Sequence, residues 1–269
     1  MSQETLDLSV ILPLHKKSIK DFEDFFEKSI KALNNQSILP KELLIVHSND
    51  NELIEYLNSF DFGSINTKLL LFDGEPNYTS QINFGVENST SKWVSFYEFD
   101  DEYASIWFKN VKLYMDAFPE VQAFLPIVVD VDNKNTFAGF TNEATFAANF
   151  SQEMGMLTNE TLLDYQNFQS SGMVIQKESF VDFGMFKTNF KLTFVYEFLL
   201  RMTYNSVQIM TIPKIGYKHL NMREGSIFWN YKFGNSILSE NEVKFWVDSA
   251  KKEYFFTEER NINFQENEG

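Results

Sequence analysis

Short, uniformly apolar runs alternate with amphipathic stretches along the first hundred residues. Leu8-Ser9-Val10-Ile11-Leu12, closed by Pro13, predicts a strand buried on both faces. Ile19, Phe22, Phe25, Phe26, Ile30 and Leu33 then recur at helical spacing with Lys and Glu between them, and Ser18 followed by Asp21 resembles a capping box. Pro40 interrupts the chain ahead of a second apolar run, Leu43-Leu44-Ile45-Val46. A short helix carrying Leu53, Ile54 and Leu57 follows, then a third strand at Lys68-Leu69-Leu70-Leu71-Phe72. Ser80 to Glu87 reads as a helix and Trp93-Val94-Ser95-Phe96-Tyr97 as a fourth strand. Strands that alternate with helices and lack polar alternation predict a mostly parallel sheet with helices on both faces, the α/β class.

Beyond Asp101 the period changes. Ile106 to Ala117 predicts a helix ended by Pro119, and Val121 to Val129 a long strand. Asp130 to Ser170 is rich in Asn, Phe and Thr without a clean period, which suggests long loops forming a lid or binding wall. Phe194 to Tyr204 reads as a helix, Val207 to Ile212 as a strand, and about Glu240 to Phe256 as a final amphipathic helix before a polar tail. No repeat or low-complexity linker divides the chain, so a single domain is expected.

Composition narrows the function. The formal net charge of -15 disfavours nucleic acid, whose phosphates such a surface repels. A small nucleotide remains compatible, because a bound divalent cation reverses the local sign. With no Cys there are no disulfides, zinc-thiolate sites or thiol catalysis. The polar, acidic Met1 to Asp7 lacks the basic and apolar regions of a signal peptide. No apolar run reaches the roughly 18–20 residues of a membrane span. A cytoplasmic protein is expected.

In parallel α/β sheets, ligands bind beyond the carboxyl ends of the strands. Three such ends carry polar groups: Pro13-Leu14-His15, His47-Ser48-Asn49-Asp50 and Glu98-Phe99-Asp100-Asp101. The last packs three acids into four residues, which is repulsive unless a cation sits among them; Mg²⁺ or Mn²⁺ with oxygen ligands fits that need. The alternative is a solvated acidic turn capping the helix that starts near Ile106. The Phe137, Phe140, Phe146 and Phe150 series reads as core, and Lys16, Lys17 and Lys20 as a solvated face.

Several of these segments, in order from about residue 8 to 230, resemble family 2 glycosyltransferases of the GT-A fold. Ser9-Val10-Ile11-Leu12-Pro13 is similar to the family's opening strand and Glu42-Leu43-Leu44-Ile45-Val46 to its second. Asn83-Phe84-Gly85-Val86 and Ser91 to Phe96 resemble its N-x-G helix and the strand leading to its metal motif, with Glu98-Phe99-Asp100-Asp101 at the DxD-type turn. Ser171-Gly172-Met173-Val174, Phe183-Gly184-Met185-Phe186 and Tyr196 to Arg201 are similar to acceptor-side segments. The resemblance implies merged halves: nucleotide-sugar binding over about 1–101, acceptor binding over about 102–235, then a terminal helix and tail.

It further implies a hexosyltransferase-like enzyme moving a sugar from a nucleoside-diphosphate sugar to a glycan or other hydroxyl acceptor, with inversion. Pro13, His15, His47, Ser48, Asn83, Asp100 and Arg223 would contact the donor, and Glu98, Asp100, Asp101 and His219 would hold the metal. Tyr217-Lys218-His219 and Arg223 resemble the family's carboxyl-terminal loop over the diphosphate. Trp229 and Tyr231 read either as packing or as a platform for a sugar ring.

Two positions depart from the family pattern. His47 and Ser48 stand where an acidic pair helps to hold the nucleobase. Phe194-Val195 stand where a Glu-Asp pair supplies the catalytic base, and neither can take a proton. Glu197, one position past Tyr196, is the candidate catalytic residue left in this segment, although about 100° per residue around a helix turns it from its neighbour and Arg201 at i+4 is a natural partner. The alternative to an enzyme is therefore a catalytically silent GT-A-like module that binds a nucleotide or glycan.

Overall fold

The structure is a computed structural model that describes residues 4–16, 21–147, 150, 155–221, 223–234 and 236–265. Lys17, Ser18, Ile19 and Lys20 lie outside the described residues.

The amino-terminal alternation forms as the apolar pattern requires. β1 (Thr5–Leu14), α1 (Phe22–Asn34), β2 (Leu39–His47), α2 (Asn51–Ser59), β3 (Thr67–Leu71), α3 (Tyr78–Glu87) and β4 (Trp93–Phe96) follow in order. β1 pairs in parallel with β2 and β4, and β2 with β3. The sheet buries both faces. Leu8, Val10 and Leu12 meet Phe22, Phe26 and Ile30 of α1 on one side, while Ile11, Leu44 and Val46 meet Ile82 and Val86 of α3 on the other. Each such apolar side chain contributes roughly 1.5–3 kcal/mol on full burial. α3 lies so close to the sheet that a Cβ on Gly85 would collide with Ile11 and Val46, which gives the Asn83-Phe84-Gly85 motif a packing reason.

The second half continues the same sheet. β5 (Glu102–Tyr103), α4 (Trp107–Ala117), β6 (Ala123–Val131) and β7 (Phe137–Thr141) lead to a 3-10 turn at Glu143–Phe146. Then come α5 (Asn159–Asp164), β8 (Val174–Gln176), α6 (Lys177–Asp182), α7 (Phe194–Tyr204), β9 (Ile209–Leu220), α8 (Ile227–Phe233) and α9 (Glu240–Glu253). The strand order is β3-β2-β1-β4-β8-β6-β9-β5, with β7 added beside β6. β8 is antiparallel to both β4 and β6, so β6 runs with β4, and β9 is parallel to β6. The carboxyl ends of β1, β2, β3, β4, β6 and β9 therefore open on one edge. Among the described residues no helix is long and apolar enough to cross a membrane.

Three expectations from the pattern change. The strand predicted to stop at Ile212 continues to Leu220, because Pro213 falls between Thr211 and Ile215, where the register with β6 shifts and no ladder bond is required of it. Phe137 and Phe140 are exposed rather than core: they lie on the short added strand β7, with their rings tilted against each other at 4.9 Å. The final helix stops at Glu253 instead of Phe256.

At the opposite edge Glu42 fastens the strand starts. Its buried carboxylate accepts from Ser9 Oγ at 2.6 Å, Lys68 Nζ at 2.6 Å, and the Thr90 backbone N and Oγ1 at 2.7 and 2.9 Å. Burial opposes ionisation, but these donors outweigh it and hold the group down at about 2 from an ordinary 4.5. The stability it contributes is thus complete above pH 4.5 and lost as the pH falls toward 2, on the order of 3 kcal/mol in total. Urea unfolding should show Glu42→Gln destabilised at pH 6, with the gap to the natural chain closing near pH 2.

Candidate functional site

β4 delivers the acidic turn to the open edge, and aromatic anchors fix the turn there. Tyr97 and Phe99 point into the core, with Phe99 5.1 Å from Phe22, so the intervening Glu98 and the following acids face the edge. The Tyr97 hydroxyl lies 2.7 Å from Ser29 O and 3.0 Å from Asp101 O. Glu98 N donates to the Tyr217 hydroxyl at 3.2 Å, and Asp101 N to Glu98 O at 3.3 Å. β5 pairs with β9 as Glu102 with Lys218 and Tyr103 with Tyr217, which brings the next β9 residue, His219, onto Asp101.

Each acid meets a different partner. Asp101 accepts from Leu220 N at 2.8 Å and lies 3.0 Å from His219 Nδ1. Glu98 accepts from Ser171 Oγ at 3.3 Å. Asp100 turns to Arg223, whose Nε donates to it while its guanidinium stacks 4.9 Å from the Phe99 ring. Among the described residues, Glu98, Asp101 and His219 form a group whose ligand atoms all lie within 4.8 Å of one another. Three of the four residues expected at a metal thus converge, and Asp100 pairs with Arg223 instead.

The electrostatics show an unbalanced charge. Burial, and then the neighbouring Asp101, push Glu98 up to about 8 despite the relief that His219 gives. Burial opposes the charge on His219, but Asp101, Glu98 and Asp100 overcome it and raise the imidazole to about 10. Asp100 is also raised, by burial and by Asp101, against the pull of Arg223. Two carboxylates and one imidazole make a hard, mostly oxygen donor set that suits Mg²⁺ or Mn²⁺, and a cation there would remove the penalty on ionised Glu98.

The loops after β1 and β2 border this group. Pro13 lies within β1 opposite Val46, and His47 ends β2 opposite Leu14. Ser48 Oγ donates to His15 O, and Ser48 N to Leu14 O at 3.1 Å, so the two loops are tied together. His47 Nδ1 lies 3.0 Å from Ser48 O.

Two residues expected at the site are engaged elsewhere. Asn83 donates to Phe186 O at 2.8 Å and accepts from Phe186 N at 3.1 Å, so its amide clasps the 183–186 turn rather than facing the edge. Glu197, at 0% exposure, holds Arg201 Nε and Nη2 at 2.9 Å each and Lys187 Nζ at 2.9 Å. Its oxygens are committed to two cations without solvent access, so it is a core ion cluster and not a proton acceptor.

Other supports were not evident in the sequence. Gln81 Nε2 straps Leu14 O and Val46 O at 2.8 and 2.9 Å, and its only local signal is an amide on a helix face otherwise packed on the sheet. Tyr217 shares the Tyr-Lys-His segment that drew attention to His219. Gly172, at φ 72°, presses so closely on Tyr217 that a Cβ would strike its ring, which seats the Ser171 segment beside Glu98.

The sequence model of the family described as Glycosyl transferase family 2 matches residues 9–187. No curated protein matches the chain. Among solved structures, S. aureus TarS 1-349 in complex with UDP is similar at 16% identity and TM-score 0.59, over 93% of this chain and 72% of that one. The UDP-GlcNAc complex of the same fragment aligns at 17% identity and TM-score 0.62, over 90% of this chain and 64% of that one. A structure of S. aureus TarS of which the chain covers 44% aligns at 15% identity and TM-score 0.56 over 93% of this chain. At such identities the likeness establishes a shared fold.

In chelator, the raised Glu98 predicts that stability declines as the pH rises from 4.5 through about 8, where folding must ionise a buried acid. Glu98→Gln should flatten that decline, gaining melting temperature at pH 9 and little at pH 5. An unchanged profile would remove the charge imbalance assigned to Glu98.

Proposed function

The chain belongs to glycosyl transferase family 2, and on that footing we propose that it moves a sugar from a nucleoside-diphosphate sugar to an acceptor hydroxyl, with inversion and with a divalent cation. The observation that carries this reading is the convergence of Glu98, Asp101 and His219 at the sheet edge, beside the loops that hold His15, His47 and Ser48. Residues up to about 101 supply the nucleotide side, and those from about 102 to 235 the acceptor side.

Mn²⁺ or Mg²⁺ held by Glu98, Asp101 and His219 would act as a Lewis acid toward the leaving diphosphate. The chain's own groups do the remaining work. Asp101 orients the His219 ring. Arg223, once released from Asp100, offers a planar donor fork to a phosphate oxygen. His15, His47 and Ser48 provide polar atoms for the nucleotide. The TarS structures hold UDP and UDP-GlcNAc, which makes uridine donors the first to test. The acceptor is a glycan or another hydroxyl-bearing molecule.

A second reading has its own support. Phe194 and Val195 pack against the core and Glu197 is locked between cations, so the segment that resembles the family's base carries none. A silent nucleotide-binding module would share the donor site but lack turnover.

Thermal unfolding with Mn²⁺ and a panel of nucleoside diphosphates tests the donor site. Binding at a hundredfold excess over Kd stabilises the fold by roughly 2.7 kcal/mol. One nucleotide should give a metal-dependent shift that Glu98→Gln and Asp101→Ala abolish. No shift with any nucleotide would refute the donor site, and a shift without release of nucleoside diphosphate from any sugar donor would favour the silent module.

A further inference from the structure

We propose that Asp130 receives the acceptor hydroxyl and takes its proton, filling the role that Val195 and the buried Glu197 leave empty. The inference rests on the donor site described above and extends it across the sheet. Asp130 lies at the carboxyl end of β6, the same edge that carries the acidic turn, and is the register partner of His219 on β9. Partners on adjacent strands lie about 4.8 Å apart and project from the same face. Asp130 therefore stands one strand from the metal-binding imidazole, on its side of the sheet.

The carboxylate is held rather than consumed. It is buried, Oδ2 accepts from Thr141 Oγ1 at 2.7 Å, and Oδ1 accepts from Gln169 Nε2 at 3.3 Å. No cation pairs with it among the interactions found in the described residues, in contrast to Glu42, Asp100 and Glu197, and each oxygen keeps a lone pair. Gln169 Nε2 also reaches Thr141 Oγ1 at 3.2 Å, while Gln169 Oε1 is buried without a partner. Asn142 completes the support. It sits at φ 72°, receives Gln169 N at 2.9 Å, and donates to Pro126 O at 2.9 Å and Gln169 O at 3.2 Å. Two residues along, Ser171 bonds Glu98, so one short segment links Asp130 to the acidic group.

In the transfer, the acceptor oxygen bonds to the anomeric carbon from the face opposite the diphosphate, and its proton passes to an Asp130 oxygen. The carbon–oxygen bond to the diphosphate breaks with its electron pair on the phosphate oxygen. Asp130 later yields the proton to water.

The test compares the natural chain with Asp130→Asn and Asp130→Ala by two measurements. One is the thermal shift with Mn²⁺ and UDP. The other is UDP release from UDP-sugars, with water and with a panel of oligosaccharides as acceptors. Both variants should keep the shift and lose turnover by about 10²–10⁴-fold, the usual worth of a general base. Sodium formate should restore part of the rate to Asp130→Ala, an effect that a merely structural role would not give. Turnover near the natural rate in Asp130→Asn, loss of the UDP shift together with turnover, or absence of formate rescue would each overturn the assignment. A natural chain that shifts with UDP but never releases it would overturn Asp130 and leave the donor site standing; a chain without a shift would remove both. Where neither Asp130 variant folds, Thr141→Val decides: kcat should fall with the donor KM unchanged, and an unaltered kcat overturns the role.

Discussion

The mutual repulsion of Glu98, Asp100 and Asp101 within one turn is the constraint around which the open edge is organised. Each acid is met by a group from a different part of the chain: Ser171 at Glu98, Arg223 at Asp100, and His219 with the Leu220 backbone at Asp101. His219 and Leu220 arrive because β9 continues to Leu220 and pairs with both β6 and β5, Arg223 follows just beyond its end, and Ser171 comes from the segment ahead of β8. The aromatic layer beneath, Tyr97, Phe99, Tyr103 and Tyr217, gives the turn a rigid floor and supplies hydroxyls where the backbone would otherwise be bare. What remains uncompensated falls on Glu98, raised to about 8. Either a proton on Glu98 or a bound divalent cation would relieve it.

The other buried acids are arranged in the opposite manner. Glu42 is saturated by four donors, and Glu197 by Arg201 and Lys187. Such closed networks bind elements together: Glu42 joins β1, β2 and β3, and Arg201 of the second network reaches the 183–186 turn through Phe183 O and Met185 O. Closed and open acids thus mark different duties within one chain. A carboxylate shut from solvent between two cations is held in its ionised form and binds elements together, as Glu197 is between Arg201 and Lys187. Among the described residues Glu98, Asp101 and Asp130 have no Lys or Arg partner.

The first hundred residues were legible because their signals are local. Continuous apolar strands, intervening helices and an acidic turn directly after β4 follow from adjacent residues alone, and with them the α/β class and the edge at which such sheets carry their ligands. The family resemblance added His219 as a further metal ligand beside that turn and Arg223 as a contact for the diphosphate. The i+4 spacing already suggested that Arg201 would claim Glu197.

Tertiary structure alone decided the rest. Whether Asp100 faces a cation or Arg223 depends on where a segment more than a hundred residues away comes to lie. The position of Asp130 beside His219 depends on the register of β6 against β9, and no local period encodes a register between distant strands. Phe137 and Phe140 share the apolar character of core residues, yet a strand added beside β6 leaves them exposed. Local pattern fixes which segments are strands and which of their ends carry charge; long-range pairing fixes which charges meet.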